Sequence, residues 1–483
     1  MSTPKPLENY RSYKGLPQLA GLCTVEEAAK PGLSVEECVR RLKRFHYCFK
    51  RLHQILTARI TAEPIYELKT GFAHHAYLCA EHATALRTRI GEMREPPLGL
   101  EDVPHPALEV FFDEILCAPT TEFLQGSYGL AVFYVMEAIE RYQSETNPLT
   151  DAPSRRILRF ALLELAEMRQ FGNESVDAMG GGKKRSRWFM EILNPLMILS
   201  GMVDGAHPEC PPVATGGLAP EALPRRYSKT PYVYDPVPQR DERFTDPWNQ
   251  GVNAESFLYN AAFPARAKAL MMLYKRLREI DVPEMMASII AQTPGKPWGY
   301  YRDMSRQLWD EARHAMMGEV GFVALGIDWT QVKITFNWSY RLNTECTPME
   351  RHGVLYFIEQ GLMPKTGKRY EFETGQASGL PLIATIQDFD WADEVLHSQI
   401  GRVWYVPEFA SLQKALEYGD VAWSKVLSNW ATVKDAGLTQ HENWWPAVYA
   451  QACAAEGVPP DPAVLAFDET YEGKRADLRI VAE

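Results

Sequence analysis

Residues 306–315 read Arg-Gln-Leu-Trp-Asp-Glu-Ala-Arg-His-Ala, and residues 393–397 read Asp-Glu-Val-Leu-His. Both stretches contain the tetrapeptide Glu-x-x-His, first as Glu311 with His314 and then as Glu394 with His397. Residues three apart share one face of a helix, so each pair can direct a carboxylate and an imidazole toward one point. Two copies in a chain of this length are close to what chance would give, so the surrounding residues must decide whether they are functional.

Both pairs interrupt the apolar faces of predicted helices. In the helix predicted near 298–325, Met304, Leu308 and Phe322 lie on the same stripe as the first pair. In the helix predicted near 381–405, the stripe of the second pair also holds Ile383, Gln387, Asp390, Gly401 and Trp404. Burying ionisable groups costs free energy unless they are paired or bound to a metal, and a metal shared by both helices would compensate all four.

Two further carboxylates are expected from the helices that precede these pairs. Glu359 precedes the Glu of the second pair by 35 residues, about the length of a helical hairpin, and sits in an apolar run. For the first pair the separations are 27 residues for Glu284, 32 for Glu279 and 56 for Glu255. We take Glu284 as the expected ligand and Glu279 as its rival, whereas Glu255 is too distant for a simple hairpin.

The ligand types indicate which metals and which chemistry to expect. Carboxylate oxygen and imidazole nitrogen suit iron or manganese, whereas zinc more often binds three protein ligands at one metal. Four carboxylates and two histidines fit two ions, so the predicted cofactor is two iron ions, with manganese or a mixed Fe/Mn pair as alternatives. The predicted chemistry is reductive activation of O2 on a small organic substrate, with electrons from a separate reductase or from the substrate.

Composition limits the classes of partner. The chain has 483 residues, is 46% hydrophobic and carries a net charge of −11. The acidic balance argues against nucleic acid or an anionic membrane surface as the main partner. Without a signal core, a Cys-x-x-Cys pair or a run of about 18 apolar residues, the chain is expected to be soluble and cytoplasmic. A homodimer is the base-rate expectation for its assembly.

The hydrophobic pattern is helical almost throughout, which predicts an all-α fold. We divide the chain into an N-terminal arm (1–34), a helical bundle (35–202), a proline-rich crossover (203–250), a second bundle (251–407) and C-terminal helices with a tail (408–483). In the crossover, prolines recur between Pro208 and Pro247 and helical periodicity is lost, which is typical of an extended connection.

The segment 306–315 resembles the second-helix signature of ferritin-like proteins, in which an aromatic-Asp-Glu-Ala-Arg-His segment follows a Pro-Trp turn, here Pro297-Trp298. Segments 358–362 and 393–397 resemble the third and fourth helices of that family. The resemblance covers about 250–405 and implies a ferritin-like four-helix bundle with a di-iron carboxylate site. The ligands it implies are Glu284, Glu311, His314, Glu359, Glu394 and His397.

The N-terminal half leaves two interpretations open, either an eroded second copy of this bundle or an unrelated set of helices. Cys79-Ala-Glu-His82, Met136-Glu137-Ala and Glu167-Met-Arg-Gln170 stand where a copy would place its ligands. In a copy, Cys79 and Gln170 would have replaced ligands, so that this bundle would be a scaffold without metal.

Two alternatives to an O2-dependent enzyme also follow from the sequence. The same ligands could serve a redox-inert metallohydrolase or lyase, which would work without O2 and reductant. Alternatively, the whole chain could be a non-catalytic helical scaffold that has lost its metal site. The uncertain carboxylate of the first helix favours that last hypothesis.

Overall fold

The computed structural model describes residues 10–94, 99–181, 187–206, 220–249, 252–427 and 430–470. Within these ranges the fold is all-α, without strands and with one isolated antiparallel bridge between Val252 and Thr470. The prediction of an all-α fold is confirmed. None of the helices in these ranges is both long enough and apolar enough to cross a bilayer.

The chain forms two compact units. Unit 1 is built from residues within Met1–Leu56 and Leu78–Val233, and unit 2 from residues within Thr57–Tyr77 and Tyr234–Glu483. The sequence alone did not indicate that 57–77 would group with the C-terminal half. The physical reason lies in polar contacts, because Lys69 forms an ion pair with Glu284, and the Tyr66 amide donates to Asp241 over 3.1 Å.

Long helices supply most of unit 1. The α-helices of eight or more residues are α1 (Val35–Ala62) and α2 (Tyr66–Glu92), which contribute to both units, and α3 (Pro106–Leu116), α4 (Phe133–Glu145) and α5 (Ala152–Ala178). Shorter α-helical segments are Val25–Ala28, Thr120–Leu124 and Asn194–Leu199, and π-helical segments are Gln125–Val132 and Phe189–Leu193. Ser34 caps α1, since its hydroxyl accepts from the Glu37 amide over 3.2 Å.

Nine longer α-helices lie among the described residues of unit 2. They are α6 (Ala265–Arg278), α7 (Asp281–Ala291), α8 (Trp298–Ala324), α9 (Asn337–Glu345), α10 (Pro348–Gly361), α11 (Lys368–Ala377), α12 (Pro381–Trp404), α13 (Leu412–Leu427) and α14 (Trp445–Glu456). Shorter ones are Ala254–Leu258, Trp430–Asp435 and Pro462–Leu465. A full capping box of Thr347 and Glu350 starts α10.

Two glycines let the helices of unit 2 approach closely. A Cβ at Gly318 of α8 would lie 2.3 Å from the backbone nitrogen of Leu277 in α6. A Cβ at Gly401 of α12 would lie 2.2 Å from the ring of Tyr356 in α10. Neither position has room for a side chain, so glycine at these two positions allows α6 to pack closely against α8 and α10 against α12.

Candidate metal centre

Four helices of unit 2 bring acidic and histidine side chains into its interior. Glu279 lies at the C-terminal end of α6, and Glu359 lies in the last turn of α10. The two tetrapeptide pairs lie on α8 and α12, and all four of their side chains are almost fully buried. Buried ionisable groups at this density require neutralisation by protons, by paired charges or by a metal.

The donor atoms of these residues fall into overlapping groups that could hold metal ions. Within each group, one donor atom from every residue lies within 4.8 Å of the others. The groups are Glu311, Glu359, Glu394 and His397; Glu279, Glu311 and His314; and His314, Asp390 and Glu394. We call the first group the first position, and the other two together the second position. The two positions share Glu311 and Glu394, so they are adjacent and have carboxylates in common.

Several donor atoms in the centre make no hydrogen bond although they are buried. They are Glu279 Oε2, Glu311 Oε1, His314 Nδ1, Glu394 Oε2 and His397 Nδ1. These atoms face one another, with His397 Nδ1 3.1 Å from Glu311 Oε1 and His314 Nδ1 3.4 Å from Glu279 Oε2. Buried polar atoms are rarely left without partners, because each costs about 1–3 kcal/mol. Divalent metals in the two positions would satisfy all five, and oxygen with imidazole nitrogen is a donor set that iron or manganese accepts.

Each histidine is oriented by an aspartate of the opposite helix. His314 Nε2 on α8 lies 3.1 Å from Asp393 Oδ2 on α12, and His397 Nε2 on α12 lies 3.4 Å from Asp310 Oδ2 on α8. Arg313 donates to both aspartates, over 2.6 and 2.7 Å. These contacts hold Nε2 as the donor and leave Nδ1 directed at the metal positions, an arrangement typical of ligating histidines.

From the sequence, Asp310 and Arg313 could either contact the ligand residues or face solvent; the structure places Asp310 beside His397 and Arg313 between Asp310 and Asp393. The role of Asp393 was not predicted, although the same signal was available. Aspartate directly precedes glutamate in both stretches, as Asp310-Glu311 and Asp393-Glu394.

Burial and neighbouring charges shift the pKa values of three side chains in the centre toward protonation. Burial opposes a charged imidazole, but Asp393 and nearby glutamates raise the pKa of His314 to about 10. Burial likewise opposes the charge of His397, yet Asp310 and the ligand carboxylates raise its pKa well above the usual value. Burial, together with neighbouring carboxylates, also raises the pKa of Glu359 well above its usual value. Metal binding at these donor atoms would therefore have to displace protons.

The structure does not bring Glu284 into either position, although the sequence favoured it as a ligand. Its carboxylate is fully buried and forms ion pairs with Lys69 and with Arg240, whose Nε lies 2.8 Å away. Ser339 also donates to it over 2.8 Å. Glu284 is thus neutralised by fixed cations within another network, and Glu279, its rival in the sequence, faces the second position instead.

Glu255, the third candidate, also lies outside both positions. Its Oε1 is 3.7 Å from Arg278 Nη2 and 3.9 Å from Lys275 Nζ. It lines a cavity that adjoins the centre, where its charge is offset by these two cations.

This cavity has a volume of about 130 Å³. Its lining includes the carboxylate-bearing residues Glu279, Glu311, Glu359 and Glu394. Nine apolar residues from several helices also line it: Val282, Met285, Trp338, Leu342, Val354, Leu355, Ile358, Leu362 and Trp423. The remaining lining residues are polar or charged: Glu255, Lys275, Arg276, Arg278, Asp281, Ser339 and Lys368. Apolar walls beside convergent polar groups are what a small-molecule site requires.

The remnant ligand positions expected in the N-terminal half do not form a comparable centre. Glu137, Glu167 and Gln170 are exposed. His82 Nε2 lies 2.6 Å from Glu164 Oε2, which is a single pair. None of the groups of donor atoms able to hold a metal lies among the described residues of unit 1. The proposed duplication stays a prediction.

Comparison of the chain with protein-family models, with curated proteins and with solved structures finds no match.

Proposed function

We propose that unit 2 contains a ferritin-like four-helix bundle whose buried centre holds two metal ions, di-iron or mixed Fe/Mn. The function would be that of an oxidase or oxygenase acting on a small organic substrate. The observation that carries this proposal is the convergence of five buried donor atoms without hydrogen bonds from α8, α12 and the end of α6.

The pattern of shared ligands favours two ions over one. Glu311 and Glu394 each belong to both positions. The first position adds His397 and Glu359, and the second adds His314, Glu279 and Asp390. Carboxylates from two helices and a Glu-x-x-His pair from each of two others form the ligand set of ferritin-like di-metal proteins. In this chain the set would be Glu279, Glu359 and the two pairs, with Glu279 replacing Glu284.

Such metals, when bound, supply reductive activation of O2; the protein's own residues prepare the site. Asp310 and Asp393 fix both imidazole rings, and burial keeps bulk water away from the ligands. Gln307 donates to Glu359 Oε1 over 3.2 Å and so holds this carboxylate in place beside the cavity. The apolar cavity walls admit a small, largely apolar substrate. Electrons would come from a reductase or from that substrate.

The test is elemental analysis by plasma mass spectrometry after anaerobic loading with iron, on the wild type and on Glu311→Ala and His397→Ala. We expect about two metals per chain in the wild type and a loss in both variants. The matched control is His352→Ala, because His352 is equally buried on α10 but packs against Tyr300 and Tyr405. Its metal content should stay unchanged. A wild-type content near zero would refute the proposal.

Oxygen dependence separates the oxidase from the redox-inert hydrolase. The oxidase or oxygenase should consume O2 when the loaded, reduced protein meets a small apolar test compound, and the Glu311→Ala protein should not. Turnover that proceeds equally without O2 and reductant would instead support the hydrolase.

A further inference from the structure

Two buried basic side chains, Arg276 and Lys368, lie against the second position. Lys368 Nζ is 2.9 Å from Asp390 Oδ2 and 2.9 Å from Glu394 Oε1. Arg276 Nη2 is 2.9 Å from Glu279 Oε1, and its other terminal nitrogen forms an ion pair with Asp390. The exposed fraction of the side chain is 0% for Arg276 and 1% for Lys368, so solvent does not screen either charge.

The first position has a different environment. Within the described part of the chain, Glu359, which belongs only to the first position, has no Lys or Arg within ion-pair distance, and its close charged neighbour is His397. By contrast, Glu279 and Asp390, which belong only to the second position, each form an ion pair with a buried cation. Of the two shared ligands, Glu394 is paired with Lys368, whereas Glu311 lies near histidines alone. The negative charge that faces the second position is therefore largely compensated before any metal arrives.

Helix stability does not explain where Lys368 lies. It is the first residue of α11, where the positive end of the helix dipole disfavours a cation. Its side chain nevertheless turns inward to the ligand Glu394 and lines the same cavity. Its partners are carboxylates of the centre, which indicates a role in the electrostatics of that centre.

We propose that Lys368 and Arg276 are fixed counter-charges that make the two metal positions unequal. The first position binds its ion tightly. The second position binds more weakly, because an incoming divalent ion meets two unscreened positive charges and must separate both of them from Asp390, which is not a ligand of the first position. This inference rests on the proposed function, since it assumes that the centre binds metal.

The experiment is a calorimetric titration of the full-length, metal-free protein with Mn²⁺, followed by electron paramagnetic resonance of each titration point. We expect one tight Mn²⁺, seen as a mononuclear six-line spectrum, and a second ion bound at least tenfold more weakly. The second ion should convert the signal into that of a spin-coupled pair. In Lys368→Met the second ion should bind at least tenfold more tightly than in the wild type. The change at the first position should be smaller, because Lys368 contacts only one of its ligands, the shared Glu394.

Two variants control for the loss of a buried lysine. Lys368→Arg keeps the charge and should keep the wild-type gap between the two affinities. Lys69→Met also removes a buried lysine that is paired with a carboxylate, but its partner Glu284 lies outside both positions. It should leave both affinities unchanged. If circular dichroism shows that Lys368→Met does not fold, Lys368→Gln takes its place.

Equal affinities for the two ions in the wild type would overturn the inference, and so would an unchanged gap in a folded Lys368 variant that lacks the charge. Both results still require that two ions bind, so they leave the proposed function intact. Absence of any Mn²⁺ binding would instead refute the proposed function and this inference with it.

Discussion

A comparison of Glu279→Gln with Glu284→Gln tests the assignment of the ligands most directly. The two glutamates are five residues apart in the sequence, and each exchange removes one negative charge at nearly constant volume. Glu279 faces the second metal position, whereas Glu284 is held by Lys69 and Arg240. The structure therefore predicts loss of metal from one variant and loss of stability from the other.

The magnitude for Glu284→Gln follows from its burial. Its side chain is 0% exposed, Lys69 is 1% exposed and Arg240 is 4% exposed. The exchange leaves Lys69 with the Gln239 carbonyl oxygen and Arg240 with Asp281. Removing one partner of a buried ion pair costs about 3–5 kcal/mol. For a unit of this size that is roughly a 10 °C lower Tm.

For Glu279→Gln we expect metal content at saturating iron to fall from about two ions per chain to about one. The Tm gain on metal loading should shrink in proportion, because bound metal stabilises only the folded state. Glu284→Gln should keep both ions and the full gain on loading, starting from a lower Tm. Elemental analysis and calorimetric melting, each with and without metal, measure these quantities. Retention of two ions by Glu279→Gln together with their loss from Glu284→Gln would refute the ligand assignment.

Three further predictions follow from the centre. Because the pKa of His314 is raised to about 10 from about 6.5, its contribution to the stability of metal-free protein is complete below pH 6.5 and is lost as the pH rises through 10. Metal binding should accordingly release protons and strengthen from pH 6.5 to 8.5, which titration calorimetry in buffers of different ionisation enthalpy measures. Asp393→Asn should weaken binding of the second metal ion by about 10–100-fold, because His314 loses its orienting carboxylate. Equilibrium dialysis measures this Kd, and an unchanged value would contradict that role. Gly318→Ala should lower the free energy of unfolding by about 1–3 kcal/mol, because its methyl group collides with Leu277. Metal content should also fall, since Leu277 lies two residues before Glu279. Wild-type values in denaturant unfolding and in metal analysis would show that the close approach is not needed.

The sequence indicated the all-α fold and both tetrapeptide pairs because these signals are local. A helix of 3.6 residues per turn determines which residues share a face, and polar residues on an apolar stripe are visible without coordinates. The burial of Glu311, His314, Glu394 and His397 and their grouping could be predicted in this way. Glu359 was found because its apolar helix lies one hairpin before the second pair.

The choice between Glu279 and Glu284 could not be made from local signals. It depends on Lys69 and Arg240, which lie far along the chain and neutralise Glu284. A buried glutamate on an apolar helix has the same local pattern whether its charge is compensated by a metal or by distant cations. Hairpin length favoured a ligand on the helix directly before α8, which is α7 and carries Glu284. Glu279 instead stands at the end of α6.

The histidine–aspartate contacts between α8 and α12 make the two Asp-Glu-x-x-His stretches depend on each other. Each copy supplies one carboxylate and one imidazole to the centre, and its aspartate orients the imidazole of the other copy. Arg313 then joins the two aspartates, so α8 and α12 cannot shift along each other without breaking contacts at both histidines. Asp310→Asn should therefore impair ligation by His397 on α12 more than ligation by its own neighbour His314. In the manganese titration this predicts a weaker first ion for Asp310→Asn and a weaker second ion for Asp393→Asn. The opposite assignment would show that each aspartate acts within its own helix.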